Sequence, residues 1–314
     1  MQRFNSSLTA VLAGVFLFAA NLSAHAGVLL YGTSFYFNSA FAVNSDGSIT
    51  PFSTPIASPS GIAVDATGNV YVASQVSNSV LKFNAAGTLL GTFTKENISI
   101  PVSMAFNSSG QLFVANNLSG AITRYSAQGD YLGTFATGLN SPMGLTIDKS
   151  GNVYVSDFIG GVGPGKITKF SSSGTILDTI DGNLLWPGQL VVDGLGNIYA
   201  TSAGSNNINK YNSSGDYVGV FANGRGPNNY GLAYDSTSGT FYQATFGPGS
   251  NGFGAIQRFD ANGNSLGYLA INQQNAYFLA TIPTASIAAV PEPSAFAWAG
   301  VLALLGLTLR RRKS

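Results

Sequence analysis

The chain has 314 residues, of which 45% are hydrophobic and only 9% are charged, against roughly 25% charged residues in an ordinary soluble domain. It contains no cysteine, which excludes a disulfide framework and a thiolate site. It contains one histidine, His25. The polar residues are mostly Ser, Asn, Thr and Gly, a composition typical of secreted β proteins.

Residues 1–26 predict a secretory signal peptide. Arg3 precedes an apolar stretch from Leu8 to Ala20, and Ala24 and Ala26 form a small-residue cleavage site; the stretch is too short to span a bilayer. An uncleaved anchor is the alternative, and both readings predict export. Cleavage would also remove His25, so the mature protein would have no His base, no Ser-His-Asp triad and no His-ligated zinc.

Residues 27–283 form the body of the protein, which is mildly acidic. Nine basic and twelve acidic residues lie between these positions, a net charge of −3. A nucleic-acid partner therefore has no support from charge.

The body is built from a repeat of four short apolar runs, seen most clearly from Ser141 to Ile180. Gly, Asn, Asp and Ser separate the runs, which predicts four-stranded antiparallel units joined by hairpins. One turn position recurs every 41 to 45 residues, at Asp65, Asn107, Asp148, Asp193 and Asp235. This period and strand number are typical of the blades of a β-propeller.

The two ends of the body complete each other. Residues 28–52 supply three strands without a first strand, and residues 276–282 supply a first strand without successors. Pairing them would close the ring and protect its edges. The sequence thus predicts an all-β propeller of six blades, with seven as the alternative.

The repeats also resemble a known family. The stretches GIAVDATGNVYVAS (61–74), GLTIDKSGNVYVSD (144–157) and QLVVDGLGNIYATS (189–202) are similar to the units of NHL-type six-bladed propellers. This resemblance implies a fold more than an activity. The aspartate that such repeats often carry after the second strand is present only as Asp157.

Residues 284–314 form a linker and a predicted sorting tail. Pro291, Glu292 and Pro293 precede an apolar stretch (295–309) and a basic cluster, Arg310, Arg311, Arg312 and Lys313. The stretch would rise about 22 Å as a helix, short of a roughly 30 Å hydrocarbon core. The tail resembles a PEP-CTERM signal, which implies processing by an exosortase in a Gram-negative bacterium that makes exopolysaccharide. A plain C-terminal membrane anchor is the alternative.

The Asp turns at the recurring position are interpreted as hairpin turns. Calcium would need six to eight converging oxygens, whereas each turn offers one carboxylate.

A basic residue and an aromatic residue end the third strand of each full unit: Lys82-Phe83, Arg124-Tyr125, Lys169-Phe170, Lys210-Tyr211 and Arg258-Phe259. Alternation along a strand sends the two to opposite faces of the blade. The aromatics are predicted to form the core between blades. The basic residues are interpreted as solvated or salt-bridged, with a ring that grips anionic polysaccharide as the alternative.

The loops after the second strands are the candidate ligand-binding loops, because one face of a propeller collects them. The candidate residues are Asn116, Asn117, Asp157, Asn206 and Asn207. Their amides would suit sugars, and Asp157 suggests one calcium ion by resemblance to gluconolactonase-like propellers. Ordinary loop residues are the alternative. Trp186, before Pro187, either stacks on a sugar or packs beneath the rim.

These observations favour an exported, noncatalytic module of the envelope or extracellular matrix that binds exopolysaccharide or an envelope protein. It needs no cofactor and no catalytic residue, and its tail anchors it in the inner membrane before processing. The alternative is a metal-dependent enzyme of the lactonase or lyase type, which needs oxygen ligands from at least three blades. The scarcity of carboxylates favours the first hypothesis.

Overall fold

The structure, a computed structural model, describes residues 27–160, 164–224, 229–245, 254–273 and 276–283. Two predicted segments lie outside these residues: the signal peptide with Ala24 and Ala26, and the tail with Pro291, Glu292, Pro293, Arg310, Arg311, Arg312 and the apolar stretch 295–309. Within the described ranges, no helix is long and apolar enough to cross a membrane.

The described residues form 24 β-strands and six four-stranded antiparallel sheets. In chain order the strands are β1 (Val28–Ser34), β2 (Ser39–Asn44), β3 (Ile49–Pro51), β4 (Pro59–Val64), β5 (Val70–Ser74), β6 (Ser79–Phe83), β7 (Leu89–Thr94), β8 (Pro101–Phe106), β9 (Leu112–Asn116), β10 (Ala121–Tyr125), β11 (Tyr131–Ala136), β12 (Pro142–Ile147), β13 (Val153–Asp157), β14 (Pro164–Phe170), β15 (Ile176–Leu185), β16 (Pro187–Val192), β17 (Ile198–Ser202), β18 (Asn207–Tyr211), β19 (Tyr217–Asn223), β20 (Gly231–Asp235), β21 (Thr240–Thr245), β22 (Gly254–Phe259), β23 (Ser265–Gln273) and β24 (Phe278–Thr281).

Each sheet is one blade of a six-bladed propeller, as the repeat predicted. Blade 1 has the order β24-β1-β2-β3, and blades 2 to 6 each use four consecutive strands, from β4–β7 to β20–β23. The first strands β4, β8, β12, β16, β20 and β24 contact one another in ring order. The predicted closure is confirmed: Leu30 and Thr33 of β1 pair with Thr281 and Phe278 of β24.

The ring has two faces. We call the lower face the side of the turns that join first to second and third to fourth strands, such as 65–69 and 84–88. The upper face carries the loops from second to third strands, such as 75–78, and the connections between blades, such as 95–100. The described body begins at Gly27, before β1, and ends at Pro283, after β24. Because Leu30 pairs with Thr281, both of these ends lie on the lower face.

The core consists of six apolar clusters, one in each interface between neighbouring blades. The aromatic residues that end the third strands are all buried in these clusters: Phe83, Tyr125, Phe170, Tyr211 and Phe259. The prediction that they form interblade core is confirmed.

The Asp turns of the lower face are closed by their own hydrogen bonds. Asp65 Oδ1 accepts from the backbone N–H groups of Thr67 and Asn69, each at 2.9 Å. Its Oδ2 accepts from Asn69 Nδ2 at 3.0 Å and from the Tyr71 hydroxyl at 2.9 Å. Asp148 and Asp193 repeat this arrangement. The turns are therefore structural, as the sequence indicated.

The tyrosines of these turns also explain three members of the basic series. The Nζ atoms of Lys82, Lys169 and Lys210 lie 5.2, 5.3 and 5.3 Å from the ring centroids of Tyr71, Tyr154 and Tyr199. An ammonium group at this distance is attracted to the face of the ring. Each of these lysines thus lies over a buried tyrosine that is paired with a half-buried aspartate, a role that neither interpretation of the sequence included.

The outer strands carry a β-bulge at a recurring position. The register shifts between Lys82 and Phe83 against β7, and again between Arg124 and Tyr125 against β11. Gly91 and Gly133 lie at these shifts with φ of 140° and 122°, a region that residues with a side chain rarely adopt. Such bulges twist an edge strand and so oppose edge-to-edge pairing with another chain.

Candidate functional site

In four blades, the side chain of the last residue of the second strand makes the same kind of hydrogen bond. This bond holds the loop that leads into the first strand of the same blade. Ser74 donates to Ala57 O at 2.7 Å, and Asn116 Oδ1 accepts from Ser99 N at 2.9 Å. Ser202 Oγ accepts from Leu185 N at 2.8 Å.

Asp157 is the charged member of this series. It is fully buried; its Oδ1 accepts from Ser141 N at 2.7 Å and its Oδ2 from Asn140 N at 3.0 Å. The Asn140 side-chain amide adds a contact at 3.3 Å to Oδ2. Both oxygens are therefore occupied by hydrogen-bond donors of the loop before β12.

The other predicted loop residues fall into two groups. Asn117 Nδ2 donates to Ser141 Oγ at 2.6 Å, so Asn117 and Asp157 meet through Ser141. Asn206 has φ of 55° and accepts from Gly224 N, and Asn207 begins β18 with a buried Oδ1 that has no partner in the described structure. The described contacts join neither of these two to Asp157. In the described residues, no group of three His, Cys, Asp or Glu side chains could hold a metal ion.

The central channel is bridged by one side chain. Gln189 of β16 donates from Nε2 to Leu279 O at 3.0 Å, and its Oε1 accepts from Leu279 N and from Leu232 N, both at 2.9 Å. A single carboxamide thus joins the first strands of blades 5, 6 and 1.

Below this bridge the channel forms a cavity of about 320 Å³ that all six first strands line. Most of its described lining residues have apolar side chains, with Ile62, Met104, Leu145 and Leu232 as examples, and none is a carboxylate or an imidazole. Tyr234 is the titratable side chain among the described lining residues.

A second cavity, of about 290 Å³, lies on the upper face. It is lined by Met143 and Phe158 of blade 4, Trp186 and Pro187 of blade 5, and Tyr230 before blade 6. We call it the aromatic cleft. Trp186 is 42% exposed, so the tryptophan lies at the surface and does not pack beneath the rim.

Backbone hydrogen bonds hold the main chain at Trp186 and Phe158, which carry the two large rings of the aromatic cleft. Trp186 has φ of 52° and precedes Pro187, and its carbonyl accepts from Ala203 N at 3.1 Å. Phe158 N donates to Ser141 O at 3.0 Å. A tryptophan with positive φ is uncommon. Ser58 and Ile100, which also precede prolines, have φ of 48° and 50°, so three of the blades share this conformation before the proline of the first strand.

Aromatic contacts continue from the cleft across the upper face. The ring of Tyr230 lies 5.4 Å from that of Tyr277, which lies 5.7 Å from that of Phe35. Phe35 in turn contacts Tyr36 at 5.4 Å. Burial raises the pKa of Tyr277, and Tyr230 and Tyr36 add to the rise, so its hydroxyl stays neutral at physiological pH.

Charge is distributed unevenly between the faces. The lower face carries nine aspartates against six basic residues, whereas the described upper face has two lysines and three carboxylates. The upper-face residues are Lys95, Glu96, Asp157, Lys166 and Asp181. Since Asp157 is buried, the exposed charges of the described upper face balance.

Sequence reasoning identified Trp186 but missed Met143, Phe158 and Tyr230. The available signal was positional. Phe158 occupies the position of Gln75 and Asn117, one residue after the second strand, and Tyr230 occupies the position of Ser60 and Val102 near the start of the first. An aromatic ring at a position that other blades fill with a smaller side chain marks the cleft.

Comparison with known proteins supports the fold and no more. No family model and no curated protein matches the sequence. A chain from the crystal structure of a nidogen/laminin complex is 18% identical with a TM-score of 0.69, covering 82% of this chain and 98% of that one. A streptogramin B lyase is 17% identical with a TM-score of 0.55, covering 72% and 73%. A gluconolactonase from Xanthomonas campestris is 17% identical with a TM-score of 0.56, covering 76% and 84%. The chain is therefore a six-bladed β-propeller whose activity these neighbours do not define.

Proposed function

We propose that this protein is an exported, noncatalytic binding module of the cell envelope or extracellular matrix, and that its upper face binds the partner. The observation that carries the proposal is the aromatic cleft, which exposes Trp186 on a hydrogen-bonded backbone. Exposed large aromatics in a preformed concave site are typical of binding surfaces.

The positions of the two ends fit this role. Gly27 and Pro283 both lie on the lower face, so a tail that begins at residue 284 leaves from the side opposite the aromatic cleft. While the tail is held in the inner membrane, the binding face would point away from the bilayer.

The proposed sorting step leaves the fold intact. Only seven residues separate Pro283 from Pro291, and the eight Cα steps between the two prolines reach at most about 28 Å. Cleavage by an exosortase near Pro291, Glu292 and Pro293 would remove no strand of the propeller. The released or retained product would reach the cell surface or the extracellular space as a closed ring.

The location can be tested in the producing bacterium. The full chain and a variant with Pro291→Ala, Glu292→Ala and Pro293→Ala are compared by surface protease digestion and by mass analysis of the mature C-terminus. We expect the variant to accumulate uncleaved in the inner membrane. A matched linker variant, Thr284→Ala with Ser286→Ala, should be processed normally. Intact cytoplasmic protein with its first 26 residues would contradict the proposal.

The binding role is tested by co-sedimentation of the purified protein with exopolysaccharide and envelope fractions from the same bacterium. Binding that saturates supports the module, and no binding to any fraction contradicts it.

A lactonase-type or lyase-type metalloenzyme is the competing proposal. It is supported by the fold, which the chain shares with the lyase and the gluconolactonase noted above. It requires convergent oxygen ligands, and the best candidate, Asp157, already accepts three hydrogen bonds. Calcium titration with thermal melting separates the two. A stoichiometric ion that raises the melting temperature, and that is lost in Asp157→Ala, would favour the enzyme.

A further inference from the structure

We propose that the aromatic cleft binds one neutral, hydroxylated ring of a saccharide. The inference rests on the proposed function of the upper face as a binding surface, and it names the ligand of that surface.

The size of the cleft limits its occupant. Its volume of about 290 Å³ is at the lower end of the range of roughly 300–1,000 Å³ found for small-molecule sites. One ring-sized group fits such a space, and a longer ligand would have to continue over the open upper face.

The walls suit the C–H face of a sugar ring. Phe158 and Trp186 supply aromatic rings, and Met143 and Pro187 supply aliphatic surface. An aromatic ring buries a large area against a flat, partly apolar partner and leaves the partner's edge free for polar contacts.

Two polar groups of the cleft distinguish a sugar from an apolar side chain. Among the described residues, neither the indole N–H of Trp186 nor the hydroxyl of Tyr230 has a hydrogen-bond partner. An apolar occupant would cover these groups without pairing them, which is costly. Sugar hydroxyls can accept from the indole and both donate to and accept from the phenol.

The charge of the site points to a neutral sugar. None of the five lining residues is charged, and the exposed charges of the described upper face balance. None of these five lining residues could pair the charge of a uronate or a sulfated sugar. A neutral hydroxylated ring carries no charge that needs such a partner.

The ordered backbone of the cleft favours binding of a sugar to its shallow surface. The bonds from Ala203 N to Trp186 O and from Phe158 N to Ser141 O order the main chain beneath both rings before any ligand arrives. A backbone that is already ordered loses little freedom when a ligand binds.

The test uses the fluorescence of Trp186. The chain has two tryptophans, so the full-length protein carrying Trp298→Phe reports from Trp186 alone. It is titrated in detergent with neutral cello-, chito- and manno-oligosaccharides up to about 10 mM, with oligogalacturonate as the charged probe and a hydrophobic peptide as the apolar probe. We expect a saturable change with at least one neutral oligosaccharide and a weaker change, or none, with the other two probes.

The variants Phe158→Ala and Tyr230→Phe define the contacts. Loss of the Phe158 ring should weaken binding by about ten- to a hundredfold, and loss of the Tyr230 hydroxyl by about tenfold. Leu118→Ala, an exposed apolar residue of the same face in blade 3, is the matched control and should bind like the parent.

The outcomes separate this inference from the proposed function. No saturable change with any neutral oligosaccharide, or tighter binding of the peptide or the uronate, overturns the sugar assignment. If the same protein still sediments with envelope or matrix fractions, the binding module stands and only its ligand is wrong. If it sediments with none, both proposals fail.

Discussion

Gln189 and Leu279, which lie two blades apart around the ring, are joined by two hydrogen bonds across the central channel. The carboxamide of Gln189 also accepts from Leu232 N, so three first strands share one side chain. Their inward-facing backbone groups have no further strand to pair with. The carboxamide of Gln189 supplies hydrogen-bond partners for three of these groups.

Gln189→Ala should therefore destabilise the propeller. It leaves two backbone N–H groups and one carbonyl without their partner, and we expect a loss of about 2–4 kcal/mol in the free energy of unfolding. Urea unfolding followed by circular dichroism measures it. Gln128→Ala, in an exposed turn, is the matched control and should change the free energy by less than about 0.5 kcal/mol. Equal effects of the two changes would refute the bridging role.

The Asp65–Tyr71 pair predicts a pH dependence. Burial would raise the pKa of Asp65, but hydrogen bonds from Asn69, Thr67 and Tyr71 outweigh it and lower the pKa below the usual 3.8. A carboxyl group with a lowered folded-state pKa stabilises the fold above its unfolded-state pKa, and this contribution is lost as pH falls through the folded-state pKa.

Asp65→Asn should accordingly unfold at lower urea than the parent at pH 7, and the gap should shrink as the pH falls below 3.8. Tyr71→Phe and the double variant complete a double-mutant cycle that isolates the pair. A gap that stays constant from pH 7 to the acid limit would show that the charge of Asp65 contributes nothing.

Tyr125 predicts an alkaline limit. Its hydroxyl donates to Glu96 O at 2.6 Å, and burial raises its pKa to about 12. A raised pKa means that the folded state holds the proton more tightly, so stability is full below the unfolded-state value near 10 and is lost as pH rises through about 12. Absorbance titration of tyrosinate should show one fewer late-ionising tyrosine in Tyr125→Phe. An unchanged titration curve would contradict this assignment.

Two glycines should respond differently to the same substitution. Gly133 has φ of 122° with open space around the place of a Cβ, whereas a Cβ on Gly61 would lie 2.8 Å from Ser103 Cα of the next blade. Gly133→Ala meets backbone strain alone and should cost about 1–2 kcal/mol.

Gly61→Ala must push two blades apart and should cost about 2–4 kcal/mol. Urea unfolding of both variants provides the comparison. A larger loss for Gly133→Ala would mean that strain, and not interblade contact, dominates at these positions.

The fold was predictable because its signals are local and repeated. Asp65 and Asn69 close a turn within five residues, and the same turn recurs at Asp148 and Asp193. Phe83 and its equivalents mark the blade interfaces by alternation along one strand. Even the ring closure was visible, because residues 28–52 lacked a first strand that residues 276–282 supplied.

The candidate site was harder to predict because its parts are distant in sequence. Phe158, Trp186 and Tyr230 come from three blades, and no pattern links them until the ring is closed. The polar residues that were predicted to bind a ligand have a different role in the structure. Asn116 and Asp157 lie on the expected face, yet their side chains hold loops of the protein itself, and composition cannot distinguish that use from ligand binding.

The pairing of β1 with β24 also sets an order of events during synthesis. Strands β1, β2 and β3 are made first, yet the inner edge of β1 stays unpaired until Phe278–Thr281 has been made. An open edge is a template for wrong pairing. The protein must therefore keep its first three strands from aggregating for almost the whole time needed to make the propeller. Only 33 residues follow β24 in the sequence, so the ring closes near the end of synthesis.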